Sequence, residues 1–126
     1  MRLVLTALLA LLPLVAGCGP DARRGDRELE VRVRVTPDPP TLETAGVEVA
    51  VAELDWSPRN GDRVVILGRR EGVLLLQDTA RGRGAGRYRA EKLDFPVAGE
   101  WLLTVRVETR DDRWVEVDRR VEVEPS

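Results

Sequence analysis

The fold turns on the stretch Gly99–Glu108, GEWLLTVRVE. Trp101, Leu103, Val105 and Val107 fall on one face, and Leu102, Thr104, Arg106 and Glu108 on the other. A pleated strand buries one such face and wets most of the other, whereas a helix would scatter the four apolar residues around its circumference. Each fully buried aliphatic side chain stabilises by roughly 1.5–3 kcal/mol, an upper bound because the unfolded chain is already partly collapsed. Pro96 cannot donate to a ladder and Gly99 marks a turn, so the strand is expected to start after both. No other segment combines this length, this alternation and a tryptophan. It should lie at the centre.

Six further strands flank it. Residues 29–35 alternate Leu29, Val31, Val33 and Val35 against Glu30, Arg32 and Arg34. Pro37, Pro39 and Pro40 then favour an extended, polyproline-like connection. Residues 47–54 put Val47, Val49 and Val51 on one face, and Asn60-Gly61 is a turn signal in the loop that follows. Residues 63–67 form a short strand. Residues 72–77 hold four consecutive apolar side chains, to be covered on both faces or laid against a partner. Residues 79–86, rich in Gly and Arg, read as the most mobile loop, and 87–93 return as a strand with Tyr88 and Ala90 inward. Residues 115–123 close the unit. Arg119 interrupts their apolar face, which calls for an edge or a bulge. Seven short strands, frequent turn residues and no helical period describe an all-β chain. The expected fold is an immunoglobulin-like antiparallel β-sandwich over residues 28–126, preceded by a cleaved signal peptide.

Residues 1–17 carry Arg2 and an apolar run of 13 residues from Leu3 to Val15. A spanning helix needs about 20, so a secretory signal fits better than an anchor. Leu14-Val15-Ala16-Gly17-Cys18 resembles the lipobox of bacterial lipoproteins, with cleavage between Gly17 and Cys18. There the Cys18 thiolate is the nucleophile that takes diacylglycerol, and small residues let the peptidase close around the backbone. Cys18 is the only cysteine, so no intrachain disulfide can form, and lipidation accounts for a lone exported thiol. The expected location is therefore exported and lipid-anchored, with membrane lipid as the first partner. Gly19 is not the Asp that retains enteric lipoproteins in the inner membrane, so a two-membrane cell would place the protein on the outer membrane, facing the periplasm. Residues 18–27 are polar and aperiodic and read as the lipidated Cys with its tether.

Cleavage removes Arg2 and no acid, which leaves 19 basic against 22 acidic residues, a net charge of −3. The signs alternate along the chain, as on a mixed solvated surface. The chain has no His, and its single Met is Met1. Without His no Ser-His-Asp relay can form. A two-carboxylate hydrolase would need a cleft that so small a sandwich offers little room for. No catalytic residue, metal ligand or cofactor is expected, and the chain does not read as an enzyme.

Gly86-Arg87-Tyr88, then Phe95-Pro96-Val97-Ala98-Gly99-Glu100-Trp101 and an alternating strand, resemble the YtkA-like and FixH-like families of small exported sandwiches. Pro37, Pro39 and Gly46 match their early proline-rich connection, and the resemblance covers residues 28–124. It implies the sandwich and, as an alternative function, copper handling in respiratory oxidase assembly. The structural signature carries over residue by residue, but the copper-binding one does not. Copper wants thioether, thiolate or imidazole, and the mature domain offers none of these except the thiol assigned to lipid.

Four side chains stand out as a possible partner surface. Trp56, in a loop beside Pro58, reads as a recognition anchor or a lid on the sandwich end. Trp114 is out of phase with Val115 and Val117, so it should point outward or cap the preceding turn. Arg81 and Arg83 lie in the Gly-spaced basic stretch. Export argues against nucleic acid, which leaves anionic lipid, polysaccharide or an envelope protein as the partner classes.

Overall fold

The computed structural model describes residues 22–126. They form eight antiparallel strands: β1 (Arg23–Gly25), β2 (Leu29–Thr36), β3 (Gly46–Glu53), β4 (Arg63–Arg70), β5 (Val73–Gly84), β6 (Arg87–Ala90), β7 (Gly99–Glu108) and β8 (Trp114–Val123). The order across the curled sheet is β1-β8-β7-β4-β5-β6-β3-β2. β5 is the hinge of this arrangement. Its first half pairs with β4 and its second half with β6, so one strand passes from one layer to the other. β2-β3-β6 with the end of β5 make one layer, and β4-β7-β8 with β1 and the start of β5 make the other. The edges meet where Glu124 bonds to Pro40 and Leu42. The all-β, sandwich-like expectation holds.

All seven expected strands are present, and the eighth is a correction. Residues 18–27 were expected to be tether, yet Arg23–Gly25 pairs with Val117, Glu116 and Val115 of β8. The strand has no apolar side chain to betray it. Backbone pairing holds it, together with the Arg24 guanidinium on Asp118 at 2.8 Å and on Glu116 at 3.2 Å. A second correction concerns residues 79–86, which are not a loop. β5 runs through Gly84, and only Ala85 and Gly86 make the turn. The third concerns residues 37–39, which bend instead of running extended. Arg119 has an edge and no bulge: β7 and β8 stay in register from Gly99↔Val123 to Glu108↔Trp114, while β1 covers only the first residues of β8.

The core lies between the layers. Trp101 is 1% exposed, stacks edge-on to Phe95 at 5.1 Å and donates its indole N–H to the Val97 carbonyl at 3.0 Å. Leu29, Val47, Val49, Val51, Ile66 and Leu103 are fully buried in the same core. β4 and β7 are interior strands, which is why Val65 and Thr104 are buried even on the outward side.

Two short motifs noted in the sequence now have physical roles. Gly86 has φ +72°, and a Cβ there would lie 2.5 Å from the Val51 carbonyl and 3.0 Å from Pro58. Its N–H donates to the Asn60 side chain at 2.7 Å and its carbonyl accepts from Val51 at 2.8 Å. Two residues on, the Tyr88 hydroxyl donates to the Arg59 carbonyl at 2.6 Å and accepts from the Asp62 N–H at 3.1 Å. Gly86 and Tyr88 thus clamp the β3–β4 loop onto β6. Gly99, at φ +119°, turns the chain into β7 through a backbone conformation that residues with a Cβ rarely adopt.

Candidate binding face

Strand pairing gathers arginines that lie far apart in the chain. In β2 the alternation that buries Leu29, Val33 and Val35 turns Arg32 and Arg34 outward. In β6 it buries Tyr88 and Ala90 and turns Arg87 and Arg89 outward. In β5 it turns out Arg81 and Arg83. Register then aligns Arg34, Glu48, Arg89 and Arg81 in one row across β2, β3, β6 and β5. The next row joins Arg32, Ala50 and Arg87. The outer face of this layer therefore presents six arginines against Glu30, Glu48 and neighbouring Glu91.

Local pairing offsets part of the repulsion. Arg89 reaches Glu48 at 3.4 Å, and Arg83 contacts Glu91. Both pairs are solvated and contribute little to stability. The directly opposed Arg81 and Arg89 are a like-charge pair, unfavourable for the free domain. An acidic partner would relieve that repulsion.

Trp56 stands at one end of this face. It is 61% exposed, with φ +68°, a conformation that costs an ordinary residue about 1–3 kcal/mol. Bonds between Glu53 and both Trp56 and Ser57, each 2.9 Å, hold the turn. The Arg32 guanidinium lies 4.9 Å from the indole centroid, which joins the aromatic ring to the basic face. The lid alternative for Trp56 is not what the structure shows.

Trp114, 41% exposed, belongs to the outer face of the other layer, under the Arg106 guanidinium at 4.9 Å. That layer is balanced in charge, with Arg24 and Arg106 shared among Asp118, Glu108 and Glu116. Trp56, Arg81 and Arg83 thus belong to one face, with Trp56 against Arg32 of β2 and the two arginines on β5, while Trp114 lies elsewhere. Sequence reasoning placed Arg87 and Arg89 in the same basic stretch as Arg81 and Arg83, and missed Arg32 and Arg34. The signal was their phase: each is polar at an outward position of an alternating strand.

An ion network ties the loops at the Trp56 end. Arg59 contacts Asp62 at 2.9 Å, Glu53 at 2.7 Å and Asp111 at 3.2 Å. Arg113 reaches the same Glu53 at 2.7 Å and Asp111 at 3.0 Å. Hydrogen bonds from Arg113 and then Arg59 hold the Glu53 carboxyl down to about 2. Asp118 is also held below the usual range, chiefly by Arg24. Depressed carboxyl values contribute stability above their unfolded values and lose it as pH falls through the folded ones. Acid titration of the folded protein, followed by circular dichroism, is therefore expected to show stability falling between about pH 4.5 and 2. Glu53→Gln should be less stable at pH 7 and flatter across that window; a parallel titration curve would refute the assignment. No buried side-chain nitrogen or oxygen among the described residues lacks a partner. The carboxylates of this network are engaged as structural ion pairs.

The described residues hold no His, Met or Cys. Among them, no group of three acidic side chains is placed to hold a metal. No family model matches the chain, and no curated protein matches it.

Proposed function

We propose that this chain is an exported, lipid-anchored protein whose immunoglobulin-like domain is a non-enzymatic module that binds an acidic envelope polymer, polysaccharide or protein. The observation that carries the reading is the outer face of β2, β3, β6 and β5, where six arginines and Trp56 adjoin on a chain of net negative charge. Arginine pairs bidentately with carboxylate and sulfate or phosphate groups, and an exposed indole adds contact area for a sugar ring or side chain. The resemblance to YtkA-like and FixH-like sandwiches belongs to this proposal for its fold. It is supported by the roles of Gly86, Tyr88, Gly99 and Trp101, and brings no copper chemistry with it.

The anchor half of the proposal rests on Leu14-Val15-Ala16-Gly17-Cys18, which lies outside the described residues. Cleavage would precede Cys18, and two or more acyl chains at about 0.8 kcal/mol per buried CH₂ would hold the protein to its membrane. Cys18→Ser is expected to move it from the membrane pellet to the soluble fraction; an unchanged pellet would exclude the anchor.

The face is tested by Arg34→Ala/Arg81→Ala, which removes two charges without setting a carboxylate opposite Glu48. The parent should be retained on an immobilised polyuronate and released by salt, and the variant should lose most of that retention at equal salt. Equal elution of the two proteins would exclude the face as the binding surface.

A further inference from the structure

The chain carries an apolar cluster that the fold does not use. Of the four consecutive apolar residues at 73–76, only Leu76 is buried, while Val73, Leu74 and Leu75 are 56%, 45% and 50% exposed. They follow the turn at Glu71 and Gly72 between β4 and β5. Gly68 pairs with Leu76 and Arg69 with Leu74, so Leu75 is an extra residue, and neither layer covers the pair of leucines. Exposed Val97 lies on the loop whose Ala98 carbonyl accepts from Arg70, beside the same turn.

The course of the N-terminal segment indicates what covers this tip. β1 runs antiparallel to β8, so from Gly25 back to Ala22 the chain travels toward Val123, the end at which the β4–β5 turn lies. Ala22 accepts a bond from Asp118, which is level with Thr104 and hence with Leu67 of β4. From Leu67 to Glu71 is four residues, about 13 Å of strand at roughly 3.3 Å each. From Ala22 back to Cys18 is also four residues, which reach at most about 13 Å. The tether is just long enough to bring the acylated cysteine level with the apolar tip, and too short to let the domain stand clear of the bilayer.

Above the tip lies an open groove of about 410 Å³, lined by Arg69, Arg70 and Arg120 together with Glu71, Glu100 and Leu102. Three guanidinium groups at that level give the rim of the tip a cationic character suited to phosphate, offset in part by the two carboxylates.

We propose that the β4–β5 turn is a membrane-docking wedge, which seats Val73, Leu74 and Leu75 in the interfacial layer of the bilayer that holds the Cys18 lipid. The inference rests on the lipid-anchor reading. Docking fixes the domain's orientation: the strands stand off the surface, the basic face looks sideways, and the Trp56 end points away from the lipid.

The test uses the full lipidated protein in vesicles of phosphatidylethanolamine and phosphatidylglycerol. With Cys18 acylated, Leu75→Cys supplies the one free thiol for an environment-sensitive NBD label. Its emission should shift to the blue, and nitroxide placed high on the lipid acyl chains should quench it at least twofold. Arg110→Cys, at the opposite end of the strands, should show neither effect. Val73→Cys repeats the measurement should Leu75→Cys disturb the far-ultraviolet spectrum. A blue shift without lipid quenching means that a protein neighbour covers the tip, and overturns the proposal, as does an unshifted spectrum. The intact mass is read on the same sample. Absence of acyl chains on Cys18 overturns the anchor and the wedge together, whereas an acylated protein with an unquenched label overturns the wedge alone.

Discussion

Trp101→Ala is expected to lower the folding stability by about 3–5 kcal/mol, the range for deleting a large buried aromatic. The side chain is 1% exposed, and its removal leaves a cavity lined by interior strands that cannot collapse without losing register. The loss has three parts. The transfer energy of the ring goes, the edge-on contact with Phe95 goes, and the Val97 carbonyl loses its indole donor. In a domain of this size each kcal/mol moves the melting temperature by roughly 4–8 °C, so a drop of about 12 °C or more should follow. Trp101→Phe keeps the ring and the volume in part and should cost clearly less. Urea denaturation read by circular dichroism measures both. A loss under about 1 kcal/mol for the alanine variant would mean that the core is organised around something else.

The layers were legible in the sequence because β2, β3 and β7 alternate cleanly and β8 does so except at Arg119, and period two leaves little choice of face. β1 was not legible. Three polar residues carry no pattern, and what places them is a backbone ladder with an edge strand plus carboxylates more than 90 residues away. The second half of β5 was hidden for a related reason. ARGRG has the composition of a mobile loop, yet from Arg81 onward it pairs with β6, just past Ala80 where the pairing with β4 ends. The basic face falls in between. Its residues could be named as outward positions one strand at a time, but their adjacency depends on β2, β3, β6 and β5 lying side by side, which no local pattern encodes. The exposed 73–75 cluster was recognisable as an anomaly of composition. That it shares an end with the N-terminal segment follows only from the antiparallel direction of β1.

These placements divide the molecule by task. If the wedge and the anchor hold one end, the arginine face and Trp56 stay accessible to polymers running alongside the membrane. The opposite end, where β3–β4, β5–β6 and β7–β8 turn, then has to keep its shape without help from the bilayer. Gly86, Tyr88 and the Arg59–Glu53–Arg113 network perform that function, since together they join all three connections.

Arg59→Ala is the substitution that removes most of that support, with an expected cost of about 3 kcal/mol. The Asp62 side chain is 0% exposed and accepts two bonds from the Arg59 guanidinium, at 2.9 and 3.2 Å. Taking away the cation leaves a buried carboxylate without its charged donors, and breaking such a pair costs about 3–5 kcal/mol. The lower end applies because Arg59 is partly open to solvent, which can enter the vacated space. Replacing both members tests the cause. Arg59→Ala/Asp62→Asn removes the stranded charge and should recover a measurable part of the loss, so that the two substitutions are non-additive by more than about 0.5 kcal/mol. Hydrogen exchange should show the amides around Asn60–Asp62 opening first in the single variant, because only the Tyr88 hydroxyl and the Gly86 N–H then clamp that loop. Arg83→Ala is the control. Its partner Glu91 and Arg83 itself are both well exposed, and the loss should stay within about 0.5 kcal/mol. Equal, small costs for Arg59→Ala and Arg83→Ala would show that the Asp62 carboxylate finds water when the guanidinium leaves, and that the network shapes the loops without stabilising them.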